Sequence, residues 1–168
     1  MAKDISNREA ILLMTPLLPK VLAYGISFIM VSIFWVNHHQ LFHSIQHSTR
    51  GLLWLNTIWL FWICLLPFPT AFLGEHPTLL FALLVFGAEL FLCSLSFYFI
   101  RYYCFQQNLF HPEFSFEISK QLLRKSMLGP VLYLTSVALS FVSVYLSYVI
   151  FIVVPTLFIV STLKLFKK

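Results

Sequence analysis

Trp35, Asn37 and His38 form the densest group of hydrogen-bonding side chains that directly adjoins an apolar run in this sequence. They belong to the stretch Phe34–Phe42, and the apolar run that they end starts near Leu17. An indole followed by amide and imidazole groups suits the boundary between a membrane and water, because the indole ring is apolar while its N–H needs a partner. The simplest interpretation is therefore a polar belt at the end of a membrane-spanning helix.

Glu89 is a single carboxyl group near the midpoint of the apolar segment 78–100. An ionised carboxylate at that depth costs at least ~2.5 kcal/mol. Three interpretations stay open: an ion or proton site, a buried pair with another polar group, or a protonated carboxyl hydrogen-bonded to Ser94 or Ser96. No basic residue lies at the same depth in the predicted spans.

His39, His43 and His47 follow one another at intervals of four residues. If the helix continues past the membrane, they share one face and could bind zinc or copper. Since no carboxylate or thiolate lies nearby in sequence, an exposed polar helix end explains them better. We predict no metal site and no cofactor, and the sequence contains no arrangement of side chains typical of an enzyme.

The composition predicts an integral membrane protein. Of 168 residues, 60% are hydrophobic, 18% aromatic and 10% charged, whereas soluble domains are about half apolar and a quarter charged. The net charge of +5 does not come from a basic stripe, so we predict no binding of nucleic acid. The basic residues lie between apolar runs, where they orient a membrane protein.

The apolar runs predict an all-α helical bundle in the lipid bilayer, with residues 1–168 as a single transmembrane domain. We expect five spans, at about 17–39, 52–73, 78–100, 129–145 and 147–163. The last two come from one apolar run, 129–163, which as a single helix would be about 50 Å long against a hydrocarbon core of about 30 Å. A hairpin with its turn near Ser143–Ser147 fits better. Segment 112–127 is amphipathic and is expected to lie on the membrane surface.

The basic residues predict the orientation of these five spans. Eight of them fall on one side, against three on the other, namely Lys3, Arg8 and Lys20. Because positive residues favour the cytoplasm, we expect the C-terminus inside and the N-terminus outside. The eight are Arg50, Arg101, Lys120, Arg124, Lys125, Lys164, Lys167 and Lys168.

The stretches Phe34–Phe42 and Leu65–Glu75 resemble the bacterial members of the transmembrane protein 175 family (DUF1211 type), which are potassium channels. The resemblance implies a six-helix subunit, assembly as a homotetramer, a bacterial plasma membrane and transport of potassium ions. It also implies that Trp35, Asn37 and His38 form a hydrogen-bond network with a Ser-Asp pair on the pore helix. The family uses an apolar constriction on that helix instead of a carbonyl filter.

One family feature is not found in these 168 residues, namely the Arg-x-x-x-Phe-Ser-Asp motif of the first, pore-lining helix. We therefore expect five of the family's six spans, and no conduction by the chain alone. Two alternatives stay open. The chain could be a non-conducting membrane scaffold or accessory subunit, or it could be a truncated gene product whose first helix is encoded upstream.

Overall fold

The structure, a computed structural model, describes the backbone of residues 18–165 and the side chains of residue 21 and residues 24–158. Its helices are α1 (Leu18–His43), α2 (Arg50–Leu65), α3 (Pro67–Glu75), α4 (Leu80–Gln106), α5 (Phe116–Ser126), α6 (Leu128–Leu139) and α7 (Val144–Leu165). Within that range there is no β-strand, only an isolated bridge between Ile45 and Phe110. The predicted all-α bundle is confirmed.

Five apolar segments make up the bundle: α1, the pair α2 and α3, α4, α6 and α7. Residues 50–75 and 80–106 have the length and hydropathy of membrane spans, with mean hydropathies of 1.7 and 2.2. Helix α5 is amphipathic, begins at the cap Ser115, and carries Glu117 in its first turn and Arg124 and Lys125 in its last. These charges suit the dipole of the helix.

Helices α2 and α3 follow one another with one residue between them, because Pro67 interrupts the ladder of hydrogen bonds. Proline has no backbone N–H to donate. Leu66 keeps helical backbone angles and donates to the carbonyl of Ile63 at 3.4 Å. Thr70 then donates to the carbonyl of Leu66 at 3.3 Å. The chain therefore continues as two consecutive helices, interrupted at the proline.

Helix α4 is the centre of the bundle and contacts α2, α3, α5, α6 and α7. One end contributes Leu83, Phe86 and Leu90 to an apolar cluster with α3, α6 and α7. The other end contributes Cys93, Phe97, Ile100 and Cys104 to a second cluster with α1 and α2. Both clusters lie on a helix long enough to cross a bilayer, so α4 joins the two ends of the bundle.

The α6–α7 hairpin is held by a reciprocal pair of hydrogen bonds. Ser147 Oγ donates to the carbonyl of Ser136 at 2.9 Å, and Ser136 Oγ donates to the carbonyl of Ser147 at 3.2 Å. The turn between the helices is 140–143, so Ser147 lies inside α7 and not in the turn near Ser143–Ser147 that we predicted. The observed segments are 128–139 and 144–165, and Pro155 lies within the second.

The two ends of the bundle are each tied by contacts between loops. At one end, Gln46 N donates to Leu109 O at 2.9 Å and His111 N donates to Ser44 O at 3.0 Å. At the other end, Tyr148 Oη donates to Pro77 O at 2.8 Å. The first end carries the described basic residues between Arg50 and Lys125, whereas Glu75 lies at the opposite end. Lys3, Arg8, Leu17 and Lys167–Lys168 lie outside the described residues, as does the side chain of Lys20.

Gly87 permits α4 to approach α6 and α7 closely. A Cβ at this position would lie 2.7 Å from Val137 Cγ2 and 3.4 Å from Phe151 Cζ. Overpacking of this kind costs about 1–3 kcal/mol. We expect Gly87→Leu to lower the midpoint of thermal unfolding in detergent.

Gly25→Leu is the matched control, because no heavy atom lies within 4 Å of the Cβ position there. This variant should unfold at or above the temperature of the unmodified chain. Equal unfolding temperatures for the two variants would contradict the close packing at Gly87.

Candidate functional site

The His38 cluster consists of Trp35, His38 and Phe42 on α1 with Asn56 and Trp59 on α2. His38 Nε2 lies 2.7 Å from Asn56 Oδ1. Because an amide oxygen only accepts, His38 is the donor in this arrangement. The hydrogen bond joins two helices within an apolar bundle, and the His38 side chain is buried, with 7% of its surface exposed.

Aromatic stacking fixes the plane of the His38 ring. The ring lies nearly parallel to Trp59, with 4.4 Å between centroids and 5° between planes, and it stacks on Phe42 at 4.2 Å. Trp35 covers it at 5.6 Å. Trp59 is fully buried, and its Nε1 makes no hydrogen bond to the part of the chain that the structure describes. The packed rings therefore hold the imidazole in the orientation that reaches Asn56.

The three residues singled out from the sequence do not act as one group. Trp35 and His38 stack together, and Trp35 remains 56% exposed. Asn37 Nδ2 instead donates to the carbonyl of Ile33 on its own helix at 2.8 Å. Its side chain lines a cavity between α1, α4, α5, α6 and α7. Successive residues of a helix point about 100° apart, which separates Asn37 from His38.

Sequence reasoning missed Asn56 and Trp59. The available signal was a single amide within the apolar run Leu52–Leu65, followed by an indole three residues later. Residues three apart lie on one face of a helix. An unpaired amide within an apolar helix is costly, so Asn56 predicts a partner on a neighbouring helix.

Glu89 is buried on α4 and accepts a weak hydrogen bond from Cys93 Sγ at 3.8 Å. The serines that we considered as partners bond elsewhere. Ser94 Oγ donates to the carbonyl of Leu90 at 2.9 Å, and Ser96 Oγ donates to the carbonyl of Leu92 at 2.7 Å. Of the interpretations left open, the hydrogen bond to serine is therefore wrong.

The histidine row does not continue along one helix. Helix α1 ends at His43, so His47 lies in the following loop and the spacing of four residues no longer puts it on the same face. Among the described residues no three histidine, cysteine or acidic side chains form a group that could hold a metal ion.

Comparisons with known proteins agree with one another. Residues 2–67 match the family model of the endosomal/lysosomal potassium channel TMEM175. A potassium channel of Chryseobacterium sp. is 46% identical over 59 residues, which is 35% of this chain and 31% of that channel. A potassium channel of Chamaesiphon minutus is 29% identical over 133 residues, 77% of this chain and 66% of that channel.

The fold is similar to that of a solved channel structure over nearly the whole chain. The crystal structure of a lysosomal potassium-selective channel TMEM175 homologue from Chamaesiphon minutus superposes with a TM-score of 0.73 at 26% identity. The alignment covers 96% of this chain and 83% of that chain. In sequence and in fold, this chain is similar to the TMEM175 family. The family consists of membrane channels, so the prediction of a membrane protein that is not an enzyme is confirmed.

The matches to curated TMEM175 relatives are partial in length. The aligned stretches span 31%, 28% and 66% of the potassium channels of Chryseobacterium sp., Streptomyces collinus and Chamaesiphon minutus. The match at residues 2–67 includes the whole His38 cluster, from Trp35 to Trp59. This cluster therefore lies in the part of the chain that matches the family model.

The His38–Asn56 hydrogen bond should stabilise this TMEM175-family fold. Interhelical bonds of this kind in membranes contribute about 0.6 kcal/mol on average and up to about 1.7 kcal/mol. We expect His38→Phe, which keeps the stacking, and Asn56→Leu each to lower the free energy of unfolding. The double variant should lose less than the sum of the two, because neither partner is left unpaired.

Denaturant unfolding in detergent, followed by tryptophan fluorescence, measures these differences. Asn37→Leu with Asn56→Leu is the control pair, because Asn37 bonds its own helix and the two losses should add. Additive losses for His38→Phe and Asn56→Leu would mean that the bond contributes nothing.

Proposed function

We propose that this chain is the helical body of a potassium channel subunit in a bacterial cell membrane. In this proposal four copies assemble around an axis, and potassium ions cross along a pore lined by an additional helix of the family type. The proposal rests on the hydrogen bonds that the polar side chains of the five apolar segments make.

Several polar side chains in the described parts of the membrane-spanning segments bond within the subunit. His38 bonds Asn56, Ser136 and Ser147 exchange hydrogen bonds, and Glu89 accepts from Cys93. A pore that removes water from an ion must offer groups in its place, or be wide enough to keep that water. Groups already bonded to their neighbours do not meet that need, which supports a separate pore helix.

The His38 cluster provides a docking position for such a helix. Trp35 lies at the edge of the cluster with 56% of its surface exposed, beside a buried imidazole. A Ser-Asp pair of the kind that the family resemblance implies would find an indole N–H and a fixed aromatic surface there. The proposed role of Trp35 and His38 is therefore to hold the pore helix against α1, whereas Asn37 faces the cavity on another side of that helix.

A second candidate is an accessory subunit that joins full-length relatives without conducting. Large apolar side chains are exposed along α1 and α2, among them Tyr24 at 63%, Phe28 at 61% and Trp54 at 71%. Such surfaces suit lipid or helices of another subunit. The two candidates differ in whether the chain and one added helix are sufficient for potassium flux.

For orientation, we propose that the end carrying Arg50 and Lys120–Lys125 faces the cytoplasm. Positive residues favour that side, and it puts the C-terminus inside and the N-terminus outside. In a Cys64→Ser background, a cysteine replacing Glu75 should react with an impermeant maleimide in intact cells. A cysteine replacing Lys120 should react only after the membrane is opened. The reverse pattern of labelling would show that the orientation is wrong.

Potassium flux into liposomes tests conduction. The 168-residue chain alone should give flux equal to that of empty vesicles. Fusion of a family pore helix ahead of Ala10 should raise potassium flux, because four such helices would then surround the axis. The same fusion with Trp35→Ala should lose most of that flux while the protein still inserts.

The control is a fused apolar helix of equal length without the Arg-x-x-x-Phe-Ser-Asp motif. This fusion should give no potassium flux above that of empty vesicles. Selective potassium flux from the unmodified chain would refute the need for an added helix. Flux only when a full-length relative is present would favour the accessory subunit.

A further inference from the structure

The bundle contains a cavity of about 140 Å³ between α1, α4, α5, α6 and α7 that the His38 cluster does not explain. One stripe of α1 forms a wall, with residues spaced by three and four positions from Met30 to Gln40. Phe97, Tyr133 and Phe158 contribute aromatic surface. No residue that lines the cavity belongs to the His38 cluster, so the cavity is a separate site.

Among the described residues that line the cavity, two side chains are cationic and none is a carboxylate. Arg101 comes from α4, and Lys125 comes from the last turn of the amphipathic helix α5. Asn37 and Gln40 add amide groups from α1. Uncompensated positive charge beside an apolar wall selects an occupant that is itself both anionic and apolar.

Arg101 supplies a second, independent observation. Its Nε is buried and makes no hydrogen bond to the described part of the chain. The guanidinium lies 5.6 Å from the centre of the Phe97 ring, which holds it against the cavity wall. A buried donor on a charged group is costly to leave unpaired. The planar guanidinium has the geometry to bind two oxygens of a phosphate group.

The position of the cavity distinguishes a lipid from a small soluble anion. Arg101 lies near the C-terminal end of a membrane-spanning helix, and Lys125 lies on the helix expected at the membrane surface. Basic pockets between helices at this level bind the headgroups of anionic lipids. The volume is below the roughly 300–1,000 Å³ of typical small-molecule pockets, which suits a phosphate and the start of one chain.

We propose that this cavity binds the phosphodiester headgroup of an anionic phospholipid. Arg101 and Lys125 contact the phosphate, and an acyl chain lies along Phe34 and Phe158. The proposal is independent of ion conduction, because it concerns how one subunit binds lipid.

Lipid retention measures the site directly. The full chain, purified in neutral detergent, is mixed with equal amounts of phosphatidylglycerol and phosphatidylcholine, and bound lipid is counted by native mass spectrometry. Phosphatidylglycerol should be retained preferentially. Lys125→Gln should weaken its binding about fivefold, the contribution of one cation near a membrane surface. Arg101→Gln should weaken it about tenfold or more, because two charge-assisted hydrogen bonds are lost.

Arg124→Gln is the matched control. It removes the same charge from the same turn of α5, but Arg124 does not line the cavity. Retention should stay within about twofold of the unmodified chain. Equal losses for Arg124→Gln and Lys125→Gln would overturn the proposal, since only the general surface charge would then matter. Should Arg101→Gln fail to fold, as judged by size-exclusion chromatography, the comparison of these two variants decides.

Inorganic phosphate separates lipid from free anion. An excess of phosphate should leave bound phosphatidylglycerol in place, because it supplies no apolar chain. Displacement of the lipid by that excess of phosphate, or equal retention of phosphatidylcholine, would refute the lipid site.

Discussion

Hydrocarbon offers no hydrogen-bonding partners, and this constraint explains most of the polar contacts in the bundle. Serine and threonine side chains within the helices donate to carbonyls of their own helix, as Ser94 and Thr70 do. Where two helices approach, the bonds cross between them, from His38 to Asn56 and between Ser136 and Ser147. Among the described residues two buried donors are exceptions, Arg101 Nε and Trp59 Nε1, and the latter is buried under the stacked His38 ring. Its ring packing compensates for a donor that finds no acceptor among the described residues.

Hydropathy predicted the all-α bundle and its five apolar segments, because about 20 apolar residues in succession have few alternatives to a spanning helix. It failed at the α6–α7 turn for a physical reason. The small polar residues in this segment indicate a turn. In the structure, however, Ser147 is fully buried and donates to a carbonyl of the neighbouring helix. A serine in a membrane helix and a serine in a turn look alike in sequence, since both satisfy backbone groups over a short distance. The partner at Ser136 distinguishes them, and it becomes visible only after the hairpin is folded.

The candidate site was predicted only in part. The importance of His38 followed from its position at the end of an apolar run, but its partner Asn56 is 18 residues away, on another helix. Pairings of this kind depend on how α1 and α2 pack against each other. The spacing of apolar residues in the sequence does not specify that packing. Arg101 shows the same limit. In the sequence, Arg101 follows an apolar span, as a residue that anchors a helix at the membrane surface would. In the structure, the surrounding helices enclose its Nε and place the side chain at a cavity.

The last turns of α1 connect the two sites of this chain. His38 faces α2 and the aromatic cluster, whereas Asn37, the preceding residue, faces the cavity that also contains Arg101. Both side chains are carried by one regular helix, so a shift or rotation of that turn changes both environments together. Occupation of the cavity by a lipid would hold Asn37 and Gln40 in place and thereby restrict the ring of His38. A pore helix that docks at Trp35 would then bind a surface whose position depends on the lipid. Coupling of this kind needs no change in the fold, because alternating residues of the same turns of α1 form a wall of each site.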